Sequence, residues 1–157
     1  MARKQVHKRQ AFSLLELMLV VVVIGLLAAI AIPRMSRGAA GATAASLAGT
    51  LTVLRDGIDR YANEHSGTFP AVATAAAQLT QYTSAAGATQ ATKDATFIYG
   101  PYVRVIPAAP VAAKKGQVGI AAADGATIGW LYNETTGTIT INATTETDAA
   151  GKLYLNY

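Results

Sequence analysis

Glu16 stands at the mouth of an apolar run, residues 17–33, that contains no charge of its own. A carboxylate inside a bilayer costs roughly 2.5–3.5 kcal/mol on insertion scales. Retaining it there calls for a partner of opposite sign, because two opposite charges attract strongly in a low dielectric while each alone is penalised. The chemistry such a residue offers is pairing, not catalysis. The competing reading is a marker of the membrane interface, where charged heads reach water cheaply. The other groups able to do chemistry are few. His7 and His65 stand apart, and His65 falls at a helix end, where a histidine favours the terminal dipole. The chain has no cysteine, which excludes disulfides and thiolate-ligated zinc. Paired-histidine zinc spacing, a Gly-x-Ser-x-Gly elbow and a phosphate loop are all missing. Glu146 and Asp148 are too sparse for calcium, which takes roughly six to eight oxygens, and Asp124-Gly125 reads as a turn. Asn133-Glu-Thr and Asn142-Ala-Thr match the glycosylation sequon, a three-residue pattern that arises by chance. No catalytic residue, metal or cofactor is expected.

The elements around Glu16 explain its setting. Arg3, Lys4, Lys8 and Arg9 precede the run, the layout in which a basic end stays cytoplasmic while the following apolar segment is inserted. Residues 12–32 number 21, about 31 Å as a helix, which suits a bilayer core of roughly 30 Å. Beyond the leader, nine Lys or Arg balance all nine acids, so the formal charge of +4 belongs to the amino terminus. No basic cluster beyond Lys114 and Lys115 remains to follow a phosphate backbone, and nucleic acid is not an expected partner.

The stretch Ala11-Phe12-Ser13-Leu14-Leu15-Glu16-Leu17-Met18, followed by Val-rich sequence, Gly25, Leu-Ala-Ala-Ile-Ala-Ile and Pro33, resembles the class III leader and first helix of type IV pilins and type II secretion pseudopilins. The resemblance is detailed over residues 8–33. It implies cleavage by a prepilin peptidase between Ala11 and Phe12 and methylation of the new amine on Phe12. The family usually has Gly before the cut; Ala11 keeps a small residue there, and processing is expected. Cleavage at that point supplies Glu16 with its partner, the Phe12 α-amine of a neighbouring copy at the same membrane depth. Pro33 lacks a donor and Gly25 adds backbone entropy, so the piece between them is the weakest part of the helix. Resemblance to pilins implies that this piece stretches in a filament.

Leu47, Leu51, Leu54, Ile58 and Tyr61 recur at spacings of four, three, four and three, the stripe of an amphipathic helix that packs against a head. Arg55 with Asp59, and Asp56 with Arg60, are spaced for ion pairs on its other surface. One helix of about 80 Å is expected over residues 12–64, ended by Gly67 and Pro70. A short helix is expected within 71–82, a small-residue loop over 84–92, and an ordered loop over 99–107. Residues 128–133 and 138–142 read as a β-hairpin, and 152–157, with Leu153, Leu155 and Tyr157 alternating, as a last strand. The fold class is α+β: a long N-terminal helix, membrane-spanning in its first half and amphipathic in its second, packed on a small antiparallel sheet. Tyr61, the Gly67-Thr68-Phe69-Pro70 exit and Gly100-Pro101-Tyr102-Val103 leading to Ile106-Pro107 are similar to segments of major pseudopilins, although the aspartate-rich calcium loop of those proteins is not evident.

The expected organisation is therefore a basic leader (1–11), a transmembrane and polymerisation half of the helix (12–35), its amphipathic half (36–66) and a globular head (67–157). The resemblance implies a structural subunit, not an enzyme, and in particular a type II secretion pseudopilin whose periplasmic filament drives protein export. A type IV pilin of a surface fibre for adhesion, motility or DNA uptake is the alternative, and a membrane-tethered binding module or enzyme is a second. Implied partners are further copies of the chain, prepilin peptidase, other pseudopilins, and an inner-membrane platform with its ATPase. The implied location is the inner membrane, with the N-terminus cytoplasmic and the head periplasmic.

Overall fold

The computed structural model describes residues 13–157, with the side chains of 31–40 excepted. The leader and the expected cleavage pair Ala11 and Phe12 lie outside the described residues, as does the Pro33 side chain. The chain divides into two compact units, Met1–Ala39 and Ala40–Tyr157. Helix α1, Leu14–Glu64, contributes to both.

In the first unit α1 begins after Ser13, whose carbonyl accepts the Leu17 N–H at 3.2 Å. The helical backbone continues through Gly25 and Pro33. Leu14 is 87% exposed, Met18 68% and Leu26 67%, and the valines between them are exposed too. The sequence leads one to expect a membrane span over 12–32, yet among the described residues no helix is long and apolar enough to cross a membrane. The described apolar side chains, from Leu14 to Ile30, cover 17 positions, about 25 Å of helix, short of the roughly 20 residues a crossing takes.

In the second unit the helix stripe is buried: Leu47, Leu54, Leu51, Ile58 and Tyr61 are all between 0 and 2% exposed. Its spacing puts these side chains on one face, and they join one core with Leu79, Val103, Ile106, Val111, Trp130, Tyr132, Ile139 and Ile141. The helix ends where Ser66 and Gly67 both take positive φ and the Gly67 N–H bonds the Ala62 carbonyl at 2.8 Å. Arg55 and Asp59 do not pair. The Arg55 guanidinium instead donates to the main-chain oxygens of Tyr157 (3.1 Å) and Ile139 (3.4 Å), part-buried acceptors in a neighbouring segment and strand.

Helix α2 is Ala75–Thr80, and Tyr82 leaves it to enter a strand. Strands β1 (Tyr82–Thr83) and β2 (Thr89–Gln90) pair antiparallel, so the expected loop over 84–92 is in part a hairpin. Its turn is fastened by Ser84, whose N–H donates to the Ala88 carbonyl and whose hydroxyl accepts the Ala88 N–H.

The second sheet has the order β3 (Gly119–Ala121), β4 (Ile128–Asn133), β5 (Thr138–Ile141). Strands β4 and β5 form the hairpin, with Trp130 opposite Ile141 and Tyr132 opposite Ile139. These four side chains, alternating along their strands, supply the sheet's buried face. The Asn133 carboxamide oxygen accepts the N–H groups of Thr135 and Thr136 to shape the turn, and Gly137, at φ +70°, leaves no room for a Cβ because the Phe69 ring lies against it. The sheet is mixed rather than antiparallel, since β3 pairs parallel with β4. A parallel partner so close in sequence is possible because β3 is three residues long; the chain needs to return only about 10 Å before β4 starts.

The expected last strand over 152–157 is a 3-10 helix, Tyr154–Asn156, after a single bridge of Leu153 to Thr147. Asp148 decides this. Its carboxylate accepts the N–H groups of Ala150 (2.8 Å) and Lys152 (2.9 Å) and the hydroxyl of Tyr157, curling the segment back on itself. The Tyr157 hydroxyl, with help from the Lys152 N–H, holds the Asp148 carboxyl below its ordinary range.

Two outcomes are expected of the intact chain in mild detergent, followed through its single tryptophan, the fully buried Trp130. Leu54→Ala should cost about 2–5 kcal/mol, the range for emptying a packed leucine site, and lower the urea midpoint accordingly; an unchanged midpoint would remove Leu54 from the core. Because the Asp148 carboxyl is depressed in the folded state, its contribution is present above the ordinary aspartate range near 4 and is lost as pH falls through the folded value. Between about pH 5 and 2 the wild-type melting temperature should therefore drop more steeply than that of Asp148→Asn. Parallel curves would contradict the clasp.

Candidate functional site

The first turn of α1 carries the carboxylate. Ser13 precedes the helix and Glu16 is its third residue, the Ser-x-x-Glu spacing of a capping box. Glu16 is exposed, and neither of the box's reciprocal side-chain hydrogen bonds forms. Its place in the first turn is favourable, since the helix dipole is positive there. The signal for this local contribution in the sequence is the serine three residues earlier. Among the described residues the Glu16 carboxylate has no hydrogen-bond or ion-pair partner.

Beside it runs an apolar surface. Leu15, Met18, Leu19 and Val22, at i, i+3, i+4 and i+7, line one shallow groove along α1. Gly25 opens a gap in that surface, with nothing within 4 Å of where a Cβ would stand. Among the described residues the leucines and valines of this helix are exposed, and their apolar area is of the kind that other chains or lipid cover. The first unit thus presents one carboxylate in the first turn of an apolar helix.

The head directs its polar groups inward and toward its own backbone. Lys114 and Asp124 form an ion pair at 2.7 Å, and the Lys114 ammonium also donates to the Gly125 carbonyl. Hydrogen bonds from Lys114 and from the Asn142 amide keep the Asp124 carboxyl below its ordinary range. Asp124-Gly125 is thus more than a turn. Asn142 is 6% exposed and its amide nitrogen donates to both Asp124 and the Ile128 carbonyl, so the second sequon is committed to the fold. Glu134, in the clefts beside the β4–β5 turn, accepts the Val72 N–H at 2.6 Å. Glu146 accepts the Ala113 N–H, and among the described residues no group of three or more His, Asp or Glu could hold a metal ion.

His65 does stand at the end of α1, directly after Glu64, and is in addition 6% exposed, stacked on Tyr61 with ring centroids 3.8 Å apart, and near Tyr99 and Tyr102. Tyr102 donates its hydroxyl to Glu64 at 2.6 Å; burial and that carboxylate push the phenol well above its ordinary range.

Residues 6–32 match the prokaryotic N-terminal methylation motif. No curated protein and no solved structure matches the chain. The matched segment contains the Ala11 and Phe12 pair, Glu16 and most of the exposed apolar helix. The chain thus carries a prepilin-type N-terminal methylation motif over these residues.

Proposed function

We propose that this chain is a structural subunit of a helical envelope filament, in particular a type II secretion pseudopilin, and not a catalyst. The observation that carries the proposal is Glu16 standing within the methylation motif, without a partner among the described residues, at the start of a helix whose described apolar side chains are exposed. A new α-amine on Phe12 places a cation four positions before the carboxylate. In a single copy both groups meet low dielectric unpaired; in a stack of copies the amine of one subunit meets the carboxylate of the next. The apolar helices supply contact area, and the paired charges supply register.

The partners follow from that role: further copies of the chain and other pseudopilins, prepilin peptidase, and an inner-membrane platform with an ATPase that the chain itself does not contain. Before assembly the subunit is held at the inner membrane through the apolar half of α1, with its N-terminus cytoplasmic and its head outside. The absence of cysteine favours the pseudopilus over a surface pilus, to whose subunits the resemblance attaches a C-terminal disulfide loop. Within the filament Gly25 to Pro33 is the piece that gives, because Pro33 offers no N–H and Gly25 stiffens nothing. Each residue going from a rise of about 1.5 Å toward about 3.3 Å lengthens the subunit by about 1.8 Å.

Mass spectrometry of the protein from membranes should show a chain that starts at N-methylated Phe12. Glu16→Ala should be processed and membrane-bound as before, while sheared filament falls by at least a hundredfold. Removing one member of a buried charge pair costs about 3–5 kcal/mol, and each 1.4 kcal/mol is tenfold in association. An N-terminus at Met1 or Ala2 supports a mere anchor for a binding module or enzyme, and normal filament from Glu16→Ala sinks the pairing. Deleting the gene separates the two filaments, since loss of export with motility intact indicates the pseudopilus and the reverse a surface fibre.

A further inference from the structure

We propose that His65 is a pH-dependent latch that ties the end of α1 to strand β1 while its ring carries two protons. The imidazole Nδ1 lies 2.8 Å from the Tyr61 carbonyl oxygen and Nε2 lies 3.0 Å from that of Ser84. Carbonyl oxygens accept and never donate, so both contacts are hydrogen bonds only when both ring nitrogens carry hydrogen. A neutral ring has one N–H. With that hydrogen on Nδ1, Nε2 accepts from the Thr83 hydroxyl at 3.2 Å and turns a lone pair toward the Ser84 carbonyl, a repulsive contact that pushes the strand end away. With the hydrogen on Nε2, the Tyr61 carbonyl meets the lone pair instead.

The ring is 6% exposed and lies among aromatic faces. On its own helix the ring stacks on Tyr61, with an interplanar angle of 5°, and from the 99–102 loop it is approached by Tyr99 at 5.1 Å and Tyr102 at 6.4 Å. Aromatic π-systems attract a neighbouring positive charge. Strand β1 and the residue after it bring Thr83 and Ser84, neither of which titrates. The carboxylate of this neighbourhood is Glu64, which accepts the Tyr102 hydroxyl. Burial pushes the Tyr61 and Tyr102 hydroxyls up, so these two rings stay neutral where an imidazole exchanges its proton.

The consequence has a definite sign. The Ser84 hydrogen bond exists in acid and disappears once the ring loses its second proton. Its loss frees the end of β1. The effect passes on to the 99–102 loop, because Thr83 and Tyr99 exchange backbone hydrogen bonds at 3.0 and 3.2 Å.

The test uses the full chain in detergent micelles, with 15N-labelled histidine, His7 being identified by His7→Gln. Across a pH series the latch requires the ring-nitrogen signals of His65 to pass from two bound hydrogens to one as pH rises. Amide exchange at Thr83 and Ser84, corrected for its intrinsic base catalysis, should rise several-fold with the same midpoint. His65→Gln, which cannot titrate, should show no such step. A His65 ring that keeps one charge state across the range overturns the latch, and so does the same exchange profile in wild type and His65→Gln. If His65→Gln does not fold, the ring resonances of the wild-type chain decide alone.

Discussion

The constraint on which everything else rests is that the first part of α1 cannot satisfy itself. Its leucines, valines, Met18, Ile24 and Ile30 are exposed among the described residues. At roughly 25 cal/mol for each Å² of apolar surface, leaving such a helix in water is prohibitive, and a folded head does not alter that. The solution has to come from outside, either lipid or other copies. Glu16 discriminates between these two surroundings, because lipid offers a carboxylate nothing while a neighbouring copy with a free α-amine offers a counter-ion. On the proposed reading, one charged residue turns a generic greasy helix into an assembly element.

The head follows a different rule, in which selected polar side chains tie one segment to another internally. Arg55 reaches from the helix to the carbonyls of Ile139 and Tyr157, fastening β5 and the closing segment to the stripe that Leu54 and Ile58 bury. Lys114, Asp124 and Asn142 hold the β3–β4 connection, and Asp148 holds the last turn. Trp130 and Tyr132, the large aromatics of β4, each direct a polar tip to a carbonyl, at Pro107 and Pro70. A domain of this size with so few surface ion pairs takes its stability from burial and from such single satisfied donors, not from surface charge.

The parts of this design that show in the sequence are those with period. The helix stripe reads at 3.6 and the β4–β5 hairpin at 2, since both bury one face of a regular element. Strand β3 does not show, because Gly119-Ile120-Ala121 is too short to have a period. Strand β2 is polar throughout and is formed by the turn chemistry of Ser84. The alternation of Leu153, Leu155 and Tyr157 misleads: none of the three is fully buried, and local acceptance of N–H groups by Asp148 outweighs it. The burial of His65 does not show in the sequence, because the residues that cover it, Ser84, Tyr99 and Tyr102, come from elsewhere in the chain. Glu16 stands out in the sequence because a carboxylate beside an apolar run is costly.

The account is tested most directly by a reconstruction of the assembled filament at side-chain detail. It predicts that the Glu16 carboxylate of each subunit lies within about 4 Å of the Phe12 amine of a neighbour, the separation of a formed ion pair. A filament in which Glu16 faces lipid or solvent, with no amine inside that distance, would contradict it.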